Sequence, residues 1–333
     1  MVEDRKIKAV CLLSGGLDSS LALKVVMDQG VDVLAVNFSG PFGGCTEVSG
    51  SAAQTVAARL GVALRIVRLE DDYLEIVRSP EHGYGRNVNP CIDCHIYMLR
   101  RAKEIMAEEG ASFVFTGEVL GQRPMSQRLD TLRQIEKASG LVGLLLRPLS
   151  ARLLNETIPE ARGWVRREDL PAISGRSRKE QMRLASEFGL GGYSAPAGGC
   201  LLTDPGFASR VRDLLAHGGL TLHDAGLLRV GRHFRLPGGA KLVIGRNQGD
   251  NQILASMARA EHTVLITQEC PGPTAVLVGS APAQDIDLAA SMVARYSDGR
   301  LLGRVKVKVT SPGGELVRDA VPLDAESVRN LMI

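Results

Sequence analysis

The chain has 333 residues, 44% of them hydrophobic, and a formal net charge of +3, enough for two domains with cores of their own and too near neutral to name a partner, so any RNA must meet a local basic surface. No apolar stretch approaches the ~20 residues of a membrane helix, and the charged residues 1–6 lead into a strand rather than a signal sequence, so a cytoplasmic protein with no membrane partner is expected. Six cysteines, two of them in a Cys-x-x-Cys, are too sparse for a disulfide scaffold and point to metal or thiol chemistry.

Residues 7–13 form a Leu- and Val-rich run that reads as a strand, followed by the turn Ser14-Gly15-Gly16-Leu17-Asp18-Ser19-Ser20 and a helical pattern over 21–26. A strand, a Gly-rich turn with hydroxyls and a helix form a phosphate cradle: glycines let backbone N–H groups approach an anion, and the helix N-terminus adds partial positive charge. Strands over 31–38, 62–67 and 112–116 alternate with helices over 51–60 and 95–109. This alternation predicts an α/β fold, a doubly wound parallel sheet with helices on both faces. The site is then expected at the carboxyl ends of the strands, where the Gly-rich turn, Asn37-Phe38-Ser39 and Thr116-Gly117-Glu118 emerge. Asn37, Phe38 and Gly117 are accordingly candidate nucleotide contacts, and Arg123 and Gln127 candidate nucleotide or substrate contacts.

Helical patterns resume over 126–139, 155–162 and 177–188, and Thr203-Asp204-Pro205-Gly206 reads as a boundary. Short strand candidates over 234–236, 240–245, 263–267, 274–279 and 305–310 then predict a smaller α+β domain, giving units of 1–204 and 207–333. Arg229, Arg232, Arg235, Lys241 and Arg246 lie close together in sequence with no acidic residue between them, which suits phosphate contacts. Lys306 and Lys308 alternate along one strand face. The basic helix start at Arg176, Arg178 and Lys179 is electrostatically misplaced and points to phosphate contact. Phe234 and Tyr296 are the main aromatic candidates, too few for a stacking platform.

Asn89-Pro90-Cys91-Ile92-Asp93-Cys94-His95 ends where the helix over 95–109 is expected to begin, so Cys94 should be rich in thiolate. Such a thiolate attacks a sulfur donor, or binds iron or zinc. One Cys-x-x-Cys supplies two ligands, so a third thiol must come from elsewhere. Cys200, after Pro196-Ala197-Gly198-Gly199, is the first candidate and Cys45 the second, whereas Cys11 and Cys270 read as core or incidental thiols.

The turn at 14–20 lacks Gly-Lys-Ser/Thr and resembles instead the PP-loop of ATP pyrophosphatases. That resemblance implies ATP and Mg²⁺ as cofactors, with Asp18 helping to hold Mg²⁺ and Ser14, Gly15, Gly16, Ser19 and Ser20 holding phosphates. Joined to the cysteine pattern it resembles the tRNA thiolation enzymes (MnmA-, TtuA- and ThiI-like). In the MnmA type Cys94 matches the nucleophile and Cys200 the persulfide carrier; in the TtuA type Cys91, Cys94 and Cys200 match three ligands of a 4Fe–4S cluster with one iron left open for sulfide. The cluster is the preferred reading, ahead of persulfide alone or zinc. Residues 241–254, with Gly245-Arg246-Asn247, resemble the core of the NFACT-type RNA-binding domain over about 230–280, which implies RNA contacts by Arg232, Arg235, Lys241, Arg246 and Asn247.

The combined expectation is an ATP-dependent tRNA sulfurtransferase that adenylates a base carbonyl, with Asp18, Cys94 and Cys200 as catalytic residues. tRNA and a sulfur-donor protein or sulfide source are its partners. The alternatives are sulfur insertion into a small molecule or cofactor, an amide-forming ligase, and a nucleotide-sensing RNA-binding protein. Val2 leaves no glutaminase nucleophile at residue 2, and the four-cysteine zinc cluster of the ExsB-like proteins is missing, which disfavours those ligase branches.

Overall fold

Side-chain alternation in the first strand decides the layering. A computed structural model describes residues 6–43, 52–191 and 200–333, and divides the chain into two compact units, Met1–Thr203 and Asp204–Ile333. In the first unit β1 (Lys8–Leu12) sends Ala9 and Cys11 to one face and Val10 to the other. It is followed by α1 (Leu17–Met27), β2 (Asp32–Ser39), α2 (Ala52–Leu60), β3 (Ala63–Arg68), α3 (Asp71–Arg78), α4 (Cys91–Glu108), β4 (Phe113–Thr116), α5 (Leu129–Ser139), β5 (Leu145–Leu146), α6 (Ile158–Ala161) and α7 (Lys179–Glu187). The strands pair parallel in the order β3-β2-β1-β4-β5.

The Ala9–Cys11 face, with Val33, Ala35, Phe113 and Phe115, packs on α1, α2 and α7, while Val10, Leu34, Val36 and Val114 pack on α4 and α5. This is the expected doubly wound sheet. Each large aliphatic side chain so buried contributes roughly 1.5–3 kcal/mol. The strand order reverses at β1, so the loops leaving β1 and β4 flank the switch-point crevice. Cys11 is a core thiol.

Two element starts differ from expectation, and both bear on the site. α4 begins at Cys91 rather than His95, because Pro90 caps the helix and its carbonyl accepts the Cys94 N–H at 2.8 Å. α5 begins only at Leu129, because Gln127 folds the chain back: its carbonyl accepts from Gly121 N at 2.7 Å and its side chain from Arg123 N at 3.0 Å. Gln127 is therefore a brace of that loop.

The second unit comprises α8 (Pro205–Ala216), α9 (Leu222–Leu227), β6 (Arg232–Arg235), β7 (Lys241–Ile244), α10 (Gln248–Met257), β8 (Thr263–Thr267), β9 (Ala275–Val278), α11 (Ala283–Arg295), β10 (Val305–Ser311), β11 (Gly314–Ala320) and α12 (Ala325–Asn330). Its six-stranded sheet is antiparallel in the order β11-β10-β8-β9-β7-β6. α11 covers one face, while α10 lies against Val243 and Val276 on the other. Among the described residues no helix is long and apolar enough to cross a membrane. Lys306 and Lys308 do share a face, each engaged by a carboxylate, Glu269 at 2.7 Å and Glu315 at 2.8 Å.

Asp213 on α8 ties that helix to the sheet. It accepts from Arg235 at 2.6 and 3.0 Å and from the buried Lys241 Nζ at 3.1 Å. Burial raises the Asp213 pKa, but the two cations outweigh it and hold the carboxyl below its usual range. Replacing Asp213 by Ala strands a buried cation, so a loss of about 3 kcal/mol is expected. Hydrogen exchange over residues 232–244 measures it, and protection unchanged from the parent would show that the triad does not hold the sheet.

Candidate functional site

The conformation of the loop at 14–20 rests on glycine at a place where no other residue fits. Gly15 has φ +78°, and a Cβ there would collide with the backbone of Ala52 and Ala53 at the start of α2. Ser19 and Ser20 Oγ donate to the Gly16 carbonyl at 3.0 and 2.9 Å, and Ser14 Oγ lies 3.0 Å from Ser19 Oγ. The turn thus gathers its hydroxyls at the N-terminus of α1.

Two residues read as nucleotide contacts turn out to build the walls. Asn37 Nδ2 donates to the Leu13 carbonyl at 2.7 Å and braces the loop, and Phe38 packs into the α4-side core. Gly117 has a steric duty: a Cβ there would lie 2.5 Å from the Ser19 backbone, so only glycine lets the exit of β4 touch the first turn of α1.

Asp18 Oδ2 accepts from Gln122 Nε2 at 2.8 Å, and Gln122 Oε1 accepts from Gln181 Nε2 at 3.2 Å. Gln181, on α7, is fully buried. Asp18 Oδ1 is buried with no partner, the condition a hard cation satisfies, so the chain's own residues fit Mg²⁺ here. The sequence reading missed both glutamines, since neither belongs to a motif. Arg178, at the cap of α7, has its Nε buried without a partner.

The third thiol arrives through backbone stitching. Leu202 O accepts from Val88 N at 3.3 Å, Thr203 O from Asn87 Nδ2 at 2.7 Å, and Phe42 O from Leu201 N at 3.1 Å. Asn87 itself sits at φ +59°, a left-handed conformation that asparagine tolerates better than most residues. These bonds bring Cys200 beside the Cys-x-x-Cys, close enough for a thiolate at Cys91 or Cys200 to raise the Cys94 pKa and one at Cys91 to raise that of Cys200. Cys45 and residues 194–199 lie outside the described residues.

The three thiols differ in character. Cys94 is half-buried with Sγ 3.3 Å from Tyr73 Oη, and desolvation of that sulfur pushes its pKa up to about 12. Burial also works upward on Cys91, yet its hydrogen bond with His95, the His95 charge, Ser126 and Arg123 bring its pKa below the ordinary thiol value. The expected thiolate at Cys94 is thus corrected to Cys91, because Cys91 holds the first helical position and faces His95. Burial raises Cys200.

A chain of buried charge runs beneath Cys91. His95 Nδ1 donates to Glu118 Oε1 at 2.8 Å; Glu118 Oε2 accepts from Thr116 Oγ1 at 3.1 Å and Arg147 Nε at 3.0 Å; Arg147 Nη1 reaches Glu136 at 3.1 Å. Burial would strip the His95 proton, but Cys91 and Glu118 hold its pKa up to about 10. Burial likewise opposes the Glu118 charge, while Arg147 and His95 bring its pKa down to about 2.

Among the described residues, Glu81, His82 and Asp93 are the ligand set whose donor atoms all lie within 4.8 Å of one another. His82 Nδ1 and backbone N already bond Asp93 at 2.7 and 3.1 Å, so that group reads as a closed turn. Cys91, Cys94 and Cys200 do not form so tight a set, whereas zinc bonds of ~2.3 Å need sulfurs about 3.8 Å apart.

The row of cations read as one RNA surface divides in two. Arg235 and Lys241 are paired with Asp213, and Lys241 is buried. Arg246 pairs with Asp250 at 2.6 and 3.2 Å, Asn247 caps α10 through Asp250 N at 2.9 Å, and Arg232 lies 4.7 Å over the Tyr296 ring. Phe234 is fully buried.

In the reduced, metal-free protein at neutral pH, iodoacetamide should alkylate Cys91 at least about tenfold faster than Cys94, since the thiolate is the nucleophile. His95→Gln should abolish most of that difference. Mass-spectrometric time courses of the two cysteines measure it, and equal rates in the parent chain would contradict the Cys91–His95 pairing.

Residues 5–162 match the family model described as Thiamine biosynthesis protein (ThiI), and residues 231–332 that described as NFACT protein RNA binding domain. The tRNA-specific 2-thiouridylase MnmA of Clostridium acetobutylicum is 32% identical over 128 residues, 33% of this chain and 35% of that protein. The Probable tRNA sulfurtransferase of Thermus thermophilus is 33% identical over 159 residues, 46% of this chain and 37% of that protein. The chain thus spans little more than a third of the length of these curated relatives. The solved structure of the U34-tRNA thiolase NcsA from Methanococcus maripaludis with its 4Fe–4S cluster is 18% identical, covering 66% of this chain and 76% of that one at a TM-score of 0.34, too low to carry geometry across. The chain is therefore similar to the ThiI family over residues 5–162 and to the NFACT protein RNA binding domain over residues 231–332.

Proposed function

We propose that the chain is an ATP-dependent sulfurtransferase acting on tRNA. One observation carries the reading: the segment leaving β4 touches both halves of the chemistry with adjacent residues. Gly117 packs on Asp18 and Ser19 while Glu118 holds His95 against Cys91, and Gln122 holds Asp18 while the Arg123 charge acts on Cys91 and Cys200. A nucleotide-activating loop and a set of thiols so coupled suit a reaction in which one substrate atom is first activated and then replaced by sulfur.

A base carbonyl oxygen is a poor leaving group, so it must be adenylated first. The loop at 14–20 cradles the ATP phosphates, and the base oxygen attacks the α-phosphorus as pyrophosphate leaves. Sulfur then bonds the activated carbon and AMP departs with the oxygen. Mg²⁺, held by Asp18 Oδ1, would neutralise the departing pyrophosphate. Gln122 and Gln181 keep that carboxylate aimed. A 4Fe–4S cluster on Cys91, Cys94 and Cys200 would offer one iron without a protein ligand, where sulfide is carried. The second unit supplies the RNA contact, and a sulfide source or sulfur-donor protein the sulfur.

A persulfide reading has its own support in the Cys91–His95 pair, which would make Cys91 the nucleophile in place of Cys94. Iron content separates the two: about four irons per chain after anaerobic purification supports the cluster, and an iron-free chain with sulfane sulfur on Cys91 supports the persulfide.

With tRNA, ATP and sulfide present, Asp18→Ala should abolish AMP release with the circular dichroism spectrum unchanged. Gln181→Leu should slow AMP release about tenfold, equivalent to about 1.4 kcal/mol, and raise the Mg²⁺ concentration needed. A folded Asp18→Ala chain with parental AMP release would refute the assignment of the loop.

A further inference from the structure

In the second unit a cavity of about 240 Å³ opens between Arg232, Arg246, Asn247, Asn251 and Tyr296, with Gly245 and Gly272 in its walls. At both positions a Cβ would crowd a side chain, Asn251 Oδ1 at Gly245 and Thr267 Oγ1, 2.5 Å away, at Gly272. Part of the wall is therefore glycine backbone, set between the side chains that line the rest.

Among the described residues, no Asp or Glu lines this cavity. Arg232 rests on the Tyr296 ring at 4.7 Å and donates to the Gly245 carbonyl at 3.3 Å, and neither contact neutralises its charge. Arg246 shares its charge with Asp250, and its guanidinium stays half-exposed. The volume falls below the ~300–1,000 Å³ of pockets that enclose whole small-molecule ligands. It suits one residue of a longer polymer.

We propose that this cavity takes a single nucleotide of the bound RNA. The base lies against the Arg232 guanidinium, which Tyr296 supports from its other side at 4.7 Å, and the phosphate meets Arg232 and Arg246. Asn247, Gln248 and Asn251 offer amide groups to the base edge. Arginine planes and aromatic rings are the usual supports for unstacked bases. The site would read a single-stranded stretch, such as a loop or an end. This proposal rests on the RNA-binding role given above to the second unit and goes beyond it in naming a pocket and its contents.

The test measures tRNA affinity of the full chain across a salt series. Arg232→Gln should weaken binding about tenfold and lower the salt slope by about one. Arg232→Lys should keep the parental slope but still lose affinity, because an ammonium offers no plane to stack on. Ultraviolet crosslinking should place a single nucleotide on the segment 245–251, whose amides meet the base edge. If the parent chain binds tRNA while both Arg232 variants bind equally well and no crosslink forms there, the pocket is overturned and the RNA-binding role stands. A parent chain with no affinity for tRNA overturns both.

Discussion

The close approach of the β4 exit to the first turn of α1 governs the rest of the site. Gly117 lacks a Cβ where one would lie 2.5 Å from the Ser19 backbone, so β4 and α1 meet at van der Waals range. The consequence is geometric. Residues 118 to 123 leave the sheet at the switch point, with Glu118 bonded to His95 of α4 and Gln122 to Asp18 of the loop at 14–20. Asp18 and Cys91 are distant in sequence, and this one segment holds both.

Glu118 shows what that placement costs and what it organises. A carboxylate buried beside a parallel sheet is expensive unless paired, and losing one partner of such a pair typically costs 3–5 kcal/mol. Arg147 and His95 pair it from opposite sides, at 3.0 and 2.8 Å. The arrangement is self-consistent: Arg147 keeps Glu118 ionised, Glu118 keeps His95 protonated, and His95 favours the Cys91 thiolate. Cys94, one turn along, lacks such a cation: burial raises its pKa, and the bond with the Tyr73 hydroxyl offsets that only in part. Two cysteines three residues apart thereby acquire different chemistry from their surroundings.

The layered sheet and the PP-loop were legible because both are local: period-two burial, β–α alternation, and a glycine forced by its neighbours at Gly15. Contacts across the chain were not. Arg235 and Lys241 look like a basic patch until Asp213, on a helix preceding the strand pair, reaches them. Asn37 and Gly117 sit at the correct end of the sheet, which sequence order could place, but their duties as brace and spacer depend on Leu13 and Ser19. Cys94 was misjudged because Pro90 reads equally well as a loop residue or a helix cap, and only the bond from Cys94 N to its carbonyl decides. His95, Gln122 and Gln181 carry no motif at all.

The central claim is that the PP-loop and the thiols form one site whose two steps are linked. It is tested most directly by counting products when the anaerobically prepared full chain turns over tRNA with ATP and sulfide: AMP by chromatography, thiolated nucleoside by mass spectrometry of the digested tRNA. One AMP for each sulfur incorporated is the expected result. Thiolated nucleoside formed without ATP, or AMP released with no sulfur entering tRNA, would contradict it.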